Sequence, residues 1–361
     1  MISSSEGRPS VALISRDSGA GTPGVRDALS GVAITPSYRR RVRPNPPGSW
    51  DARSDMNETR EIPIQGGPPH RAARNPGLWI LAMLLVAGLF SVAYGAFVLT
   101  ATGQQADDDA LRGATAFLDS DTARAAALSF LNQLPLISGI VALVALLAAA
   151  ILRRDLQAPI VAALSFGAAV GSTQVLKHLV LVRPNLGISE ATGNSFPSGH
   201  TTVATSALIA VFLVTSPRWR PLIATCGGLY AAVTGISTFA LGWHRPSDVV
   251  AAYLVAGFWG LLAGLIILRR QPGWNRWKGP DSSWSSSGIW PTLLWFPGIL
   301  GFLGSAAVYL FVTHLGPTAG TSARSWFLVA GALLIIGAAG SLFGLLCGVF
   351  SHQTRGRAPL S

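Results

Sequence analysis

Apolar residues in this chain fall in long uninterrupted stretches, not in the alternation of a half-buried strand or the single stripe of a surface helix. Eight such stretches, at roughly 77–101, 135–153, 157–182, 200–216, 220–242, 247–269, 290–314 and 325–350, carry charge only near their ends. A helix needs about 20 residues to cross roughly 30 Å of hydrocarbon. The pattern therefore predicts eight membrane spans and an all-α, polytopic transmembrane helical bundle. Residues 1–75 are rich in Ser, Gly, Pro and Arg and show no apolar period, so they are expected to form a disordered basic cytoplasmic tail. Between the first two spans, residues 102–134 place Leu111, Phe117, Leu118, Leu128, Phe130 and Leu131 among Asp and Arg at loosely helical spacing. That segment reads either as a lid lying on the membrane or as an ordinary connection.

Composition agrees: half of the residues are hydrophobic and only 12% are charged, too apolar for a water-soluble globule. The net charge of +11 would suit a nucleic-acid partner, but the arginines stand beside the spans. Arg153-Arg154, Arg218 and Arg220, Arg269-Arg270 through Lys278, and Arg355 and Arg357 alternate with the acidic connection carrying Asp107, Asp108 and Asp109, the segment 183–199, the turn at His244-Arg245 and the short loop near Gly316, as the positive-inside rule requires. No nucleic-acid partner is expected. The run 39–43 resembles a twin-arginine export signal but lacks the apolar segment that must follow it, and Met56 is a possible alternative start. Lysine occurs only at 177 and 278, a bias that points to a GC-rich bacterial coding sequence. Cys226 and Cys347 lie inside apolar runs without pairing or metal spacing. Trp274, Trp277 and Trp284 make 271–289 an expected interfacial anchor, and Gly340, Gly344 and Gly348 would let another helix approach the last span closely.

Three polar segments fall on the face opposite the basic loops: 177–185, 196–200 and 237–248. Taken singly, Lys177 would only snorkel, Arg183-Pro184 would only end a span, and His244 would only sit with Trp243 at the interface. Together they supply the parts of a phosphate site. Lys177 and Arg183 are fixed positive charges, while Pro197-Ser198-Gly199 offers a turn leading into a helix N-terminus at His200. His244 and Asp248, four residues apart, would meet on one helical turn, where the carboxylate fixes the imidazole tautomer. His200 is then free to protonate a leaving oxygen.

These segments resemble the type 2 phosphatidic acid phosphatase superfamily, the membrane lipid phosphate phosphatases, whose motifs read KxxxxxxRP, PSGH and SRxxxxxHxxxD. PSGH stands at 197–200, and Ser237, His244 and Asp248 keep the spacing of the third motif. The resemblance implies a six-span phosphatase core over 76–270, with 271–361 adding the Trp-rich loop and two further spans. It also implies that His244 is a nucleophile forming a phosphohistidine, that Asp248 orients it, and that His200 is the general acid. Lys177, Arg183, Ser198 and Gly199 would hold the phosphoryl oxygens, with no metal and no cofactor. Two departures stand out. Lys177 and Arg183 have five intervening residues instead of six, a change that swings Lys177 about 100° on an unbroken α-helix. Thr238 replaces the motif's arginine, and Arg245 is the nearest residue able to substitute for its charge.

The expected activity is removal of phosphate from a lipid phosphate or polyprenyl pyrophosphate of the cell membrane, at a site on the extracytoplasmic face. A catalytically weak or inactive binder of phospholipid headgroups is the alternative, motivated by Thr238. A transporter is disfavoured, because no intramembrane charges line a central path.

Overall fold

A computed structural model of the chain describes residues 76–117, 121–188, 193–271, 273–274, 289–315 and 320–354. The tail 1–75 with its arginine run and Met56, Leu118, Trp277, Lys278, Trp284, the turn at Gly316, and Arg355 and Arg357 lie outside the described residues. The described residues are helical, with no strand. The helices are α1 (Pro76–Ala93), α2 (Ala101–Phe117), α3 (Asp121–Arg153), α4 (Gln157–Val175), α5 (Gly199–Val214), α6 (Arg220–Ala240), α7 (Pro246–Arg270), α8 (Ile289–Leu315) and α9 (Gly320–Thr354). A π-helical turn extends α1 through Val98 and another extends α4 through Val180.

Seven of these helices are long and apolar enough to cross a membrane. The eighth expected span, α5, has 16 residues and reaches roughly 24 Å at 1.5 Å per residue. It needs no lipid-facing surface. Most of its residues are buried where it packs against α3, α4, α6 and α7, so it acts as the apolar centre of the bundle. The peripheral helices α1, α3 and α8 expose rows of leucine, isoleucine and phenylalanine, including Leu84, Leu147 and Leu303. In a bilayer these rows face acyl chains.

The last two helices differ from each other. α8 is mostly exposed, whereas α9 is largely buried and packs against α2, α6 and α7 as well as α8. The α8–α9 seam is close because glycines meet backbone. A Cβ at Gly340 would stand 3.1 Å from Gly298 N and Leu294 O, and one at Gly344 would stand 3.1 Å from the Trp295 ring, while Gly348 has room. Two of the three glycines singled out in the last span thus serve helix contact.

The ends of α3, α5, α6 and α7 gather at one end of the bundle. There the Arg153 guanidinium stacks 3.9 Å from the Trp274 ring, Trp274 Nε1 donates to Leu213 O at 3.0 Å, and Arg220 lies 4.6 Å from the Phe350 ring. Trp274, in the segment expected to be an interfacial anchor, is buried and joins these helix ends. The segment 102–134 is helical in its described residues, with α2 laid across the opposite end. Ala110 and Ala114 are buried there, Leu111 packs on the core, and Leu131 and Leu134 join Ala204 and Leu241 in a cluster.

Candidate active site

Every expected site residue lies at the end of the bundle that α2 covers. α4 first widens into the π turn Leu176–Val180, which carries Lys177, and the backbone turns extended at Leu181. An extended stretch then leads to Arg183. The spacing from Lys177 to Arg183 is therefore not read along an unbroken α-helix, the condition under which the missing residue would swing Lys177 by about 100°. Lys177 lies within electrostatic range of both Asp248 and His200. Asn194, which no motif flagged, ties this segment to the next. Its amide nitrogen donates to Lys177 O, Leu181 O and Phe196 O at 3.0–3.3 Å, and its oxygen accepts from Phe196 N at 3.1 Å.

Ser198 caps α5. Its Oγ donates to Thr201 Oγ1 at 3.0 Å and accepts from Thr201 N at 3.4 Å, and its own N–H donates to Asp248 O at 3.0 Å. Ser198 is fully buried. Among the described residues no acceptor stands opposite the Gly199 and His200 N–H groups, the donors that a helix start presents to an anion. A Cβ at Gly199 would meet only Gln174 Nε2, at 3.6 Å. The His200 ring sits 5.4 Å from the Trp243 ring and is partly exposed.

The third segment begins where α6 ends. Gly242 takes a positive φ of 75°, a conformation open mainly to glycine, and a Cβ there would press on Thr115 of α2 at 2.6 Å. The turn presents His244, then Arg245 and Pro246 start α7, with Asp248 in the first helical turn. Asp248 is fully buried and joins the segments. Its Oδ2 faces His244 Nδ1 at 3.4 Å, accepts from Ser195 Oγ at 2.6 Å and accepts from Arg245 N at 2.9 Å, while Oδ1 faces Arg183 Nη2 at 3.8 Å. With Nδ1 turned to the carboxylate, Nε2 is the His244 nitrogen left for chemistry. Beyond Asp248, the buried Arg183 guanidinium has no hydrogen-bond partner among the described residues. Unspent buried donors are costly, and they suit an anion.

The Arg245 guanidinium donates to Ser195 Oγ at 3.2 Å and lies 3.7 Å from Asp108 Oδ1. Thr238 is fully buried within α6. Its hydroxyl donates to Gly235 O, and its carbonyl accepts the Trp243 and His244 N–H groups. Asp107 and Asp108 were legible only as an acidic connection. Both are buried and reach the site from α2. Asp107 accepts from Ser247 N at 3.2 Å and from Ser247 Oγ, and Asp108 also pairs with Arg112 at 2.7 Å. Burial raises the Asp107 carboxyl to about 7, and nearby Asp248 pushes the same way, against the bonds from Ser247 and the charge of Arg183.

Residues 158–272 match the PAP2 superfamily family model. Over 75 residues the chain is 36% identical to the lipid A 1-phosphatase of Rhizobium etli and 35% identical to that of Rhizobium johnstonii. Those alignments cover 21% of this chain and 30% and 29% of the relatives, so the chain spans under a third of the length of the curated relatives it matches. No solved structure gives a significant match. The matched stretch holds Lys177, Arg183, the 197–200 turn, His244 and Asp248 together, and by that match residues 158–272 are similar to the PAP2 superfamily, within a membrane protein whose described residues are helical.

Proposed function

We propose that the protein is a metal-independent lipid phosphatase that works through a phosphohistidine on His244. The observation that carries this reading is the geometry around Asp248. One buried carboxylate faces His244 Nδ1 with one oxygen and Arg183, with its unspent donors, with the other. His244 Nε2 attacks phosphorus, forming the N–P bond as the ester or anhydride P–O bond breaks. His200 gives its proton to the leaving oxygen and then takes one from the water that hydrolyses the phosphohistidine. Lys177, Arg183 and the Gly199 and His200 N–H groups bind the equatorial oxygens, whose charge grows in the transition state. Ser198 supports them by fixing the start of α5. Arg245 adds positive charge from one step back, since its guanidinium is shared with Ser195 and Asp108.

A lipid substrate follows from the membrane setting, and the relatives named lipid A 1-phosphatase favour a lipid phosphate. The site is assigned to the extracytoplasmic side because the arginine-rich helix ends collect at the other end of the bundle. The test is phosphate release by purified protein with EDTA present, from lipid A, phosphatidic acid, phosphatidylglycerol phosphate and a polyprenyl pyrophosphate, beside His244→Ala. Release from at least one lipid that vanishes in the variant supports the reading. No release from any of them favours a protein that only binds phospholipid headgroups.

A further inference from the structure

α2 lies outside the segment that matches the family, yet it is tied to the stretch that carries Arg183 and to the turn that carries His244 and Asp248. Gln104 donates to Pro184 O at 3.0 Å and Arg112 to Ile188 O at 3.4 Å, both in the stretch that carries Arg183. Asp108 pairs with Arg245, which reaches Ser195 and through it Asp248. Thr115 packs on the Gly242 turn just before His244. Asp107 makes the most direct contact, because both of its oxygens accept from Ser247, one from the backbone and one from the hydroxyl. Ser247 precedes Asp248 and belongs to the first turn of α7, where N–H groups lack intrahelical partners.

On the phosphatase reading above, we propose that Asp107 is a positioning residue: by holding Ser247 it fixes the start of α7, and with it the His244–Asp248 pair, in the geometry of attack. Burial and the nearby Asp248 hold the Asp107 carboxyl near 7, so around neutral pH much of it is uncharged. In that form its carbonyl oxygen accepts from Ser247 N and its O–H donates to Ser247 Oγ, so it holds both groups without a second full negative charge competing with Asp248 for Arg183. The link acts on orientation and touches neither phosphate nor leaving group, so its loss falls on kcat. Displacement of a reacting group by about 1 Å costs on the order of 100-fold.

The experiment compares wild type, Asp107→Ala, Asp107→Asn, Ser247→Ala and the Asp107→Ala/Ser247→Ala double variant in detergent, with rates normalised to folded protein. Asp107→Ala and Ser247→Ala are expected to lose on the order of 10-fold to 100-fold in kcat with KM changed by less than about threefold. Asparagine can still meet both Ser247 groups, so Asp107→Asn is expected to recover most of the loss. The double variant is expected to be no slower than Asp107→Ala, because that change already removes the hydroxyl bond that Ser247→Ala removes. A full kcat in folded Asp107→Ala or Ser247→Ala, a loss confined to KM, or single losses that multiply would overturn the proposal. So would an asparagine variant no better than alanine. Should Asp107→Ala not fold, Ser247→Ala and Asp107→Asn still decide it. Wild-type activity abolished by His244→Ala keeps the phosphatase reading whichever way these variants fall, and an inactive wild type means that reading has failed instead.

Discussion

Asp108 of α2 stands 3.7 Å from the guanidinium of Arg245, the residue directly after His244. The arginine best placed in sequence to replace the charge missing at Thr238 is therefore partly matched by a carboxylate, whereas the Arg183 donors are unspent. Arg183→Ala should cost on the order of 100-fold or more in kcat/KM, the usual cost of one positioned donor at developing charge. Arg245→Ala should cost distinctly less. Steady-state kinetics on one lipid phosphate checks this, and equal losses would mean that Arg245 contacts phosphate directly.

Asp248→Asn should keep the fold and lose on the order of 1,000-fold or more in turnover, because an amide no longer fixes the imidazole tautomer or stabilises its cation. Asp248→Ala should also unfold at markedly lower temperature. It strands Ser195, the Arg245 N–H and Arg183 around a buried hole, and breaking a buried charge pair typically costs about 3–5 kcal/mol. Thermal unfolding and turnover, measured on both variants, separate the two effects.

Stability should depend on pH through Asp107. Its folded-state carboxyl sits at about 7 against an ordinary value of 3.8, so the folded protein holds this proton more tightly than the unfolded chain. The stability it contributes is complete below the ordinary value and is lost as pH rises through about 7. Wild type should melt at a lower temperature at pH 8 than at pH 6, and Asp107→Asn should show a smaller difference. The groups facing Asp107 are Asp248, Arg183 and Ser247. Equal pH dependence in the two proteins would contradict the assignment.

The extracytoplasmic placement of the site is tested by labelling. In a background lacking Cys226 and Cys347, a cysteine at the exposed Asn185 should react with a membrane-impermeant thiol reagent in intact cells, and one at Ser216 only after lysis. The reverse pattern would invert the topology.

His244 and Asp248 were legible because they stand four positions apart and helical spacing brings them together, and His200 because it ends the short local motif at 197–200. Lys177 was harder to place. A π turn changes angular spacing without leaving a mark in the side chains, so the five-residue gap implied a rotation only for a helix that ran on unbroken. Asp107 and Asp108 were legible only as part of an acidic connection, since their partners Ser247 and Arg245 are far away in sequence and nothing in three consecutive aspartates says which way they face. α9 was hidden for a related reason: inside a membrane protein a buried helix and a lipid-facing one are both apolar, and only packing separates α9 from α8. Trp274 likewise has the composition of an interfacial anchor and the position of a core residue.

The most direct test is to look for the intermediate. Wild-type protein mixed with a lipid phosphate labelled in the phosphoryl group, and quenched during turnover, should carry label with the stability of phosphohistidine, kept in alkali and lost in acid, and the label should map to His244. His244→Ala should carry none. Turnover in wild type without any protein-bound phosphate, or label mapped to another residue, would contradict the account.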